Sequence, residues 1–297
     1  MIVVLGATGK TGSAAALTLL SQGSKVRAIG RSAERLKSLR NAGAEVAIAD
    51  LQDSKAVTAA FTGAQAAYVL IPPNFAVERF RAYQRAISNS VARAIKHAEV
   101  PRVVLLSSLG ANHPLGTGPV VALHELEDTL KAAPGLAVLS LRAGFFMENY
   151  LMNVDLVRST GLLGSPAPAH APMSVIAAAD IGRYAARRLS LLDFSGFEVV
   201  NLVGPSFPTM QQIARVLGEA IGKPDLPYVQ FSYEEAEQGL LKAGLKPELA
   251  GLYVELYRGA AQGLLEPEAG TAVVRTETPL SEFARSFAAA YAAAAAT

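Results

Sequence analysis

The chain opens on Met1-Ile2-Val3-Val4-Leu5-Gly6-Ala7-Thr8-Gly9-Lys10-Thr11-Gly12. Ile2–Leu5 is a short apolar run rich in β-branched residues, the composition of a buried strand. Three glycines at every third position follow at once, and a helical pattern then continues to about Leu20. Strand, glycine-rich turn and helix, in that order, make a phosphate loop. Gly6 permits the tight turn, Gly9 lets backbone approach a pyrophosphate, and Gly12 lets the helix pack close to the strand. Ala7, Thr8, Lys10 and Thr11 complete the loop. The helix N-terminus adds unpaired N–H groups and a partial positive charge. The spacing is G-x-x-G-x-x-G rather than the commoner G-x-G-x-x-G, so its position directly after a first strand carries the weight. A glycine turn without a ligand is the competing reading.

Outward from the loop, strand and helix signals alternate. Val26–Gly30 reads as a second strand, and Ser32 as the N-cap of a helix to about Arg40. Asn41-Ala42-Gly43 turns the chain into a third strand, Glu45–Ala49. A helix opens at Ser54 and ends near Gly63; Ala66–Ile71 is a fourth strand, stopped by Pro72-Pro73. A long helix is expected over about Phe75–Ala98, a fifth strand at Val103–Ser107 and a helix near Val120–Lys131. Ala137–Leu141 and Glu198–Val203 follow as sixth and seventh strands. Buried, non-alternating strands separated by helices predict a parallel sheet covered on both faces, with right-handed crossovers. The expected fold is α/β: a Rossmann doubly wound sheet over residues 1–146, joined by the strand near 198–203, and a smaller C-terminal substrate lobe over 147–297. Within that lobe Gly161–Pro172 reads as a loop. Helices are expected near Thr209–Ile221 and Tyr233–Ala243, and Ala292–Ala296 as a helical tail.

Composition narrows the class. Of 297 residues, 51% are hydrophobic and 18% charged, which excludes a disordered chain. Lys and Arg number 27 against 25 Asp and Glu, and no basic stripe marks a nucleic-acid binder. Arg183, Arg187 and Arg188 share a helix and read as a solvated face. Cysteine is absent, which removes disulfides, thiolate metal sites and cysteine nucleophiles. His97, His113, His124 and His170 have no metal-ligand spacing, so no metal is expected. No apolar run is long enough to span a membrane, and no basic region precedes the apolar start as in a signal peptide. The expectation is a cytoplasmic protein.

The second strand indicates which dinucleotide. An acidic residue about 20 positions beyond the last glycine would bind the ribose 2′-hydroxyl of NAD. Here Arg31 follows the second strand. An arginine attracts a 2′-phosphate, and a charge-assisted hydrogen bond is worth about 1.5–3 kcal/mol. NADP(H) is therefore favoured over NAD(H), with Lys10 or Arg35 as a second cation; a solvated Arg31 is the alternative. Asp50, followed by Leu51, could accept from the adenine amino group or cap the next helix. Ile71 and Pro72 leave the sheet beside the ribose and nicotinamide.

Together, Gly6–Gly12, Arg31, Asp50-Leu51, Val103–Ser108 and Leu141-Arg142-Ala143-Gly144-Phe145-Phe146-Met147-Glu148-Asn149 resemble the NmrA-like family of atypical short-chain dehydrogenases/reductases. Asp180-Ile181-Gly182 and Thr278–Ala284 extend the resemblance over nearly the whole chain. It implies a Rossmann fold, NAD(P)(H) binding and a substrate lobe from the C-terminal half. It also implies a divided function: some members are NADPH-dependent quinone reductases, others are redox-sensing regulators that act through partner proteins.

The usual Tyr-x-x-x-Lys dyad is missing. None of the nine tyrosines has Lys four residues later, and Tyr184 has Arg188 there. The lysine of the isoflavone-reductase-like branch is replaced by Ala122-Leu123-His124-Glu125-Leu126-Glu127. His124 is the substitute proton donor, since imidazole titrates near neutral pH; a packed or surface histidine is the alternative. Ser107 could hold the cofactor carboxamide and Ser108 the substrate, or both could cap a strand end. Phe145 and Phe146 could wall a pocket at the sheet's carboxyl edge, with Asn149 orienting a carbonyl. A quinone accepts hydride readily because the reduced ring becomes aromatic, so the protein's task is to position two flat rings. The expected activity is hydride transfer from NADPH to a quinone-like or other conjugated small acceptor. The alternative is a catalytically silent NADP(H) sensor with a protein partner; an isomerase ranks last. Homodimer formation is left open.

Overall fold

The computed structural model describes residues 1–294. The first half runs β1 (Ile2–Val4), α1 (Lys10–Ser21), β2 (Val26–Gly30), α2 (Lys37–Asn41), β3 (Glu45–Ile48), α3 (Ser54–Phe61), β4 (Ala66–Val69), α4 (Phe80–His97), β5 (Arg102–Ser108), α5 (Val121–Lys131) and β6 (Ala137–Ala143). The second half runs β7 (Phe145–Phe146), α6 (Val154–Thr160), β8 (Leu163–Ser165), β9 (Val175–Ile176), α7 (Ala178–Leu191), β10 (Phe197–Val203), α8 (Met210–Ala220), β11 (Tyr228–Gln230), α9 (Tyr233–Lys242), α10 (Pro247–Ala261), β12 (Ala272–Arg275) and α11 (Leu280–Ala293). Of the expected tail, Ala292 and Ala293 close α11, while Ala295 and Ala296 lie outside the described residues.

The main sheet has eight parallel strands in the order β12-β10-β6-β5-β4-β1-β2-β3. The chain reverses direction across the sheet between β1 and β4, where open α/β sheets form a ligand crevice at the strands' carboxyl ends. Alternate strand residues feed two cores. Ile2, Val4, Tyr68, Val104 and Leu141 pack with α1 and α7 on one face. Val3, Leu5, Val69, Val103 and Leu105 pack with α3, α4 and α5 on the other. α1 and α7 pack backbone to backbone, since a Cβ at Gly182 would lie 2.3 Å from the Thr11 carbonyl oxygen. A third core, including Met147, Tyr150, Ile213, Leu217, Phe283 and Phe287, makes the smaller lobe.

Several boundaries differ from the sequence reading, each for a physical reason. α2 begins at Lys37, because Ser32 caps only a turn through the Arg35 N–H, 3.4 Å away. α4 begins at Phe80 rather than Phe75: the Glu248 carboxylate, from α10, accepts from the Phe80 N–H and sets the start from a distance. Within 161–172, expected to be a loop, β8 pairs with β11. β12 adds an eighth strand, short and largely exposed. α7, β10 and β12 serve the main sheet although they follow residue 147, so the lobe consists chiefly of α6, α8–α11 and the two small sheets.

Candidate active site

The glycine loop forms as its spacing requires. Gly6 has φ +60°, the left-handed region, and a Cβ on Gly12 would lie 2.4 Å from the Gly6 carbonyl oxygen. The Ala7 N–H donates to the Ile29 carbonyl at 3.2 Å and the Gly9 N–H to that of Gly6 at 2.8 Å. The N-cap of α1 is Gly9, so no side chain satisfies the first-turn N–H groups, and no acidic residue occupies that turn. Such an end is complementary to an anion. Cations surround it. Lys10, Arg31 and Arg35 are exposed, and the Arg35 Nη2 lies 3.4 Å from the Thr8 carbonyl oxygen. The residues present therefore fit a dinucleotide pyrophosphate and a further phosphate.

Arg31 and Asp50 meet around a residue that sequence reasoning missed. Tyr83, on α4, donates its hydroxyl to the Pro72 carbonyl at 3.1 Å. Burial raises its pKa, Arg31 works against that rise and Asp50 reinforces it, so both charges act on one phenol. The carboxyl ends of β2, β3 and β4 thus converge on Tyr83. Only the facing of α4 could have revealed it. Asp50 itself accepts from the Gln52 N–H at 2.9 Å, and Asp53 caps α3 through Lys55 and Ala56 at 3.0 and 3.1 Å. Leu51 is buried, and Ile71 and Pro72 are partly covered.

At the ends of β5 and β6 the side chains divide. The buried Ser107 hydroxyl donates to Glu127 Oε1 at 2.6 Å, and Ser140 donates to the same oxygen at 2.7 Å. Arg142 closes the cluster, with Nη2 2.7 Å from Glu127 Oε2 and Nη1 2.5 Å from Glu268. Burial opposes the Arg142 charge, and the two carboxylates more than offset it. The Ser107 hydroxyl is therefore committed to this buried network. Ser108 points its hydroxyl to the Leu109 carbonyl at 3.0 Å. His124 has partners at both nitrogens: Nδ1 donates to the Ala111 carbonyl at 2.8 Å, and Nε2 lies 3.4 Å from the exposed Asp128. That geometry ties the loop after β5 to α5.

Phe145 and Phe146 diverge. Phe145 packs into the lobe against Tyr150, ring centroids 5.3 Å apart, and Phe146 against Ile176 and Ile181 under α7. Asn149 is exposed. Between them Glu148 accepts twice from the Ala178 N–H, at 3.1 and 3.0 Å, and caps α7. The Tyr184–Arg188 pair lies away from this edge, with Arg188 held by Asp193 and Glu198 beside the start of β10.

The lobe closes over the edge through α10. A Cβ on Gly118 would lie 2.0 Å from the Leu252 carbonyl oxygen, so the helix rests directly on the turn after β5. Glu255 fixes it there, accepting from the Gly116 N–H at 3.1 Å and pairing with Arg81 at 3.2 Å. Among the described residues, no group of three or more His, Asp or Glu side chains is placed to hold a metal ion. None of the described helices is long and apolar enough to cross a membrane.

Comparison with known proteins agrees in extent with this architecture. A curated NAD(P)H azoreductase from Xenophilus azovorans is 28% identical over 99% of this chain and 100% of its own length. The crystal structure of an NADPH-dependent quinone oxidoreductase from Escherichia coli, complexed with NADPH, superposes with a TM-score of 0.78 at 27% identity, covering 96% of this chain and 98% of that one. A triphenylmethane reductase from Citrobacter sp. shares the fold, with a TM-score of 0.78 at 20% identity over 97% and 99% of the two chains. The sequence profile of the NmrA-like family matches residues 1–281, from the glycine loop through β12 into α11, and the chain belongs to that family.

Proposed function

We propose that this chain is an NADPH-dependent reductase that acts on quinones, azo compounds or similar conjugated acceptors. The uncapped N-terminus of α1, ringed by Lys10, Arg31 and Arg35, carries the reading. A pyrophosphate satisfies the N–H groups of the loop Gly6–Gly12, and Arg31, with Arg35 behind it, recognises a 2′-phosphate. Asp50, Leu51 and Tyr83 receive the adenosine end, and Ile71 and Pro72 border the other. When bound, the reduced nicotinamide supplies a hydride. Ser107 shapes its seat through the Glu127–Arg142 network, Ser108 and Asn149 face the acceptor, and Phe145 and Phe146 stiffen the wall. His124 acts by holding the loop 109–117. Similarity to an azoreductase along the entire chain supports the acceptor class.

The test is NADPH oxidation with a panel of quinones and azo dyes, with NADH in parallel. Turnover with NADPH well above NADH is expected. NADPH binding without turnover of any acceptor would overturn the reading and favour a regulatory protein that responds to cofactor redox state, which requires different affinities for the two forms.

A further inference from the structure

At the edge of the sheet opposite the glycine loop, the surface opens into a cleft with a volume of about 430 Å³, lined by Lys131, Ala133, Leu136, Ala137, Ser195 and Phe197 among others. β6 begins at Ala137 and β10 at Phe197. In a parallel sheet the cleft therefore lies at the strands' amino ends, between the loop from α5 to β6 and the loop from α7 to β10. The dinucleotide loop lies at the carboxyl ends. The lining is mostly carbon, and a Cβ added at Gly135 or Gly196, which complete it, would meet nothing within 4 Å. Small-molecule sites have this size and this make-up, an apolar wall with a few polar groups.

One charge stands in the cleft without a counterion. Lys131 Nζ lies 5.7 Å from the centroid of the Phe197 ring and has no hydrogen-bond or ion-pair partner among the described residues. The carboxylates near it are already engaged. One turn back on α5, Glu127 is held by Arg142 and Asp128 lies against His124. On the other loop, Asp193 and Glu198 both pair with Arg188, and Glu198 also accepts from the Ser195 N–H at 2.9 Å. Arg102, in register with Ala137, places a second cation at this edge, and its buried Nε has no partner. We propose that the cleft binds a small aromatic anion, a carboxylate or sulfonate on a flat ring, at a site separate from those for the dinucleotide and the acceptor. Lys131 Nζ donates to the anionic oxygen, and the ring lies on the wall of Ala133, Leu136 and Phe197. Binding there involves no covalent or redox step and does not rest on the reductase reading.

Calorimetric titration of 2-naphthoate into the full chain tests this, with NADPH in excess to keep the ligand from the dinucleotide site. Wild type should bind one naphthoate per chain. Lys131→Gln should weaken that binding roughly 10–100-fold, the worth of a charge-assisted hydrogen bond, with the melting temperature unchanged because Lys131 is exposed. Lys25→Gln, at an exposed lysine before β2 on the same edge but four strands from β6, should leave binding as it is. The neutral analogue 2-naphthalenemethanol should bind wild type no better than naphthoate binds Lys131→Gln. Absence of naphthoate binding by wild type, or equal binding by wild type and Lys131→Gln, overturns the site. Turnover of quinones, whether seen or not, bears on neither result.

Discussion

Replacing Arg142 with Met removes one arm of a pair whose side chains are 8% and 4% exposed. Glu127 would then keep only the Ser107 and Ser140 hydroxyls as donors, at 2.6 and 2.7 Å, for a charge out of reach of water. Breaking a buried ion pair from one side costs about 3–5 kcal/mol. For a chain of this size each kcal/mol moves the melting temperature by about 2–4 °C, so a fall of about 10 °C is expected. The double variant E127Q/R142M removes both charges and leaves an amide oxygen for the two serines. It should recover most of the loss, because Glu268 is 42% exposed and water can take its charge. Thermal melts of wild type, single and double variants decide the matter. A single variant that melts within about 2 °C of wild type, or a double variant no better than the single, would refute the reasoning.

Arg31→Ser should raise the KM for NADPH about 10–100-fold and leave that for NADH nearly unchanged, in steady-state assays with either cofactor. Burial pushes the Asp180 carboxyl up, but the Thr278 hydroxyl and N–H, with Arg183, hold it below its usual range. Its contribution to stability is therefore complete above the unfolded value and is lost as pH falls below about 4; Asp180→Asn should flatten the acid limb of a pH-dependent melt. Gly118→Ala places a Cβ against the Leu252 carbonyl oxygen at a position with φ +55°. It should cost about 1–3 kcal/mol by lifting α10 off that turn, read from thermal melts.

The fold was legible because parallel strands leave apolar runs and glycine turns in the sequence. Seven of the eight main-sheet strands stand near where those runs lie. β12 escaped because an edge strand with two or more solvent-facing residues carries no buried run; Ala272, Val273 and Arg275 are exposed. The glycine loop was legible because its turn demands backbone freedom at set positions along the chain: Gly6 takes a left-handed φ, and Gly12 has no room for a Cβ beside the Gly6 carbonyl. Tyr83, Glu127 and Glu148 were not, because each acts on a partner that only folding brings near: Pro72 for Tyr83, Arg142 for Glu127, the start of α7 for Glu148. His124 was singled out for its titration range, whereas its two contacts depend on a loop whose path the sequence does not reveal.

The return of β12 to the sheet has a kinetic consequence. β10 and β12 are adjacent strands, yet the chain between them builds α8, β11, α9 and α10 before it comes back. The register Val200↔Ala272 through Val203↔Arg275 can form only after that long excursion closes. Contacts so distant in sequence slow folding, because loop-closure entropy is lost before they repay it. A fragment ending at residue 146 would lack β10, leave β6 as a bare apolar edge, and be prone to aggregation. Refolding from denaturant should therefore recover the sheet and the lobe in one late, shared phase, with neither half protected from hydrogen exchange before the other.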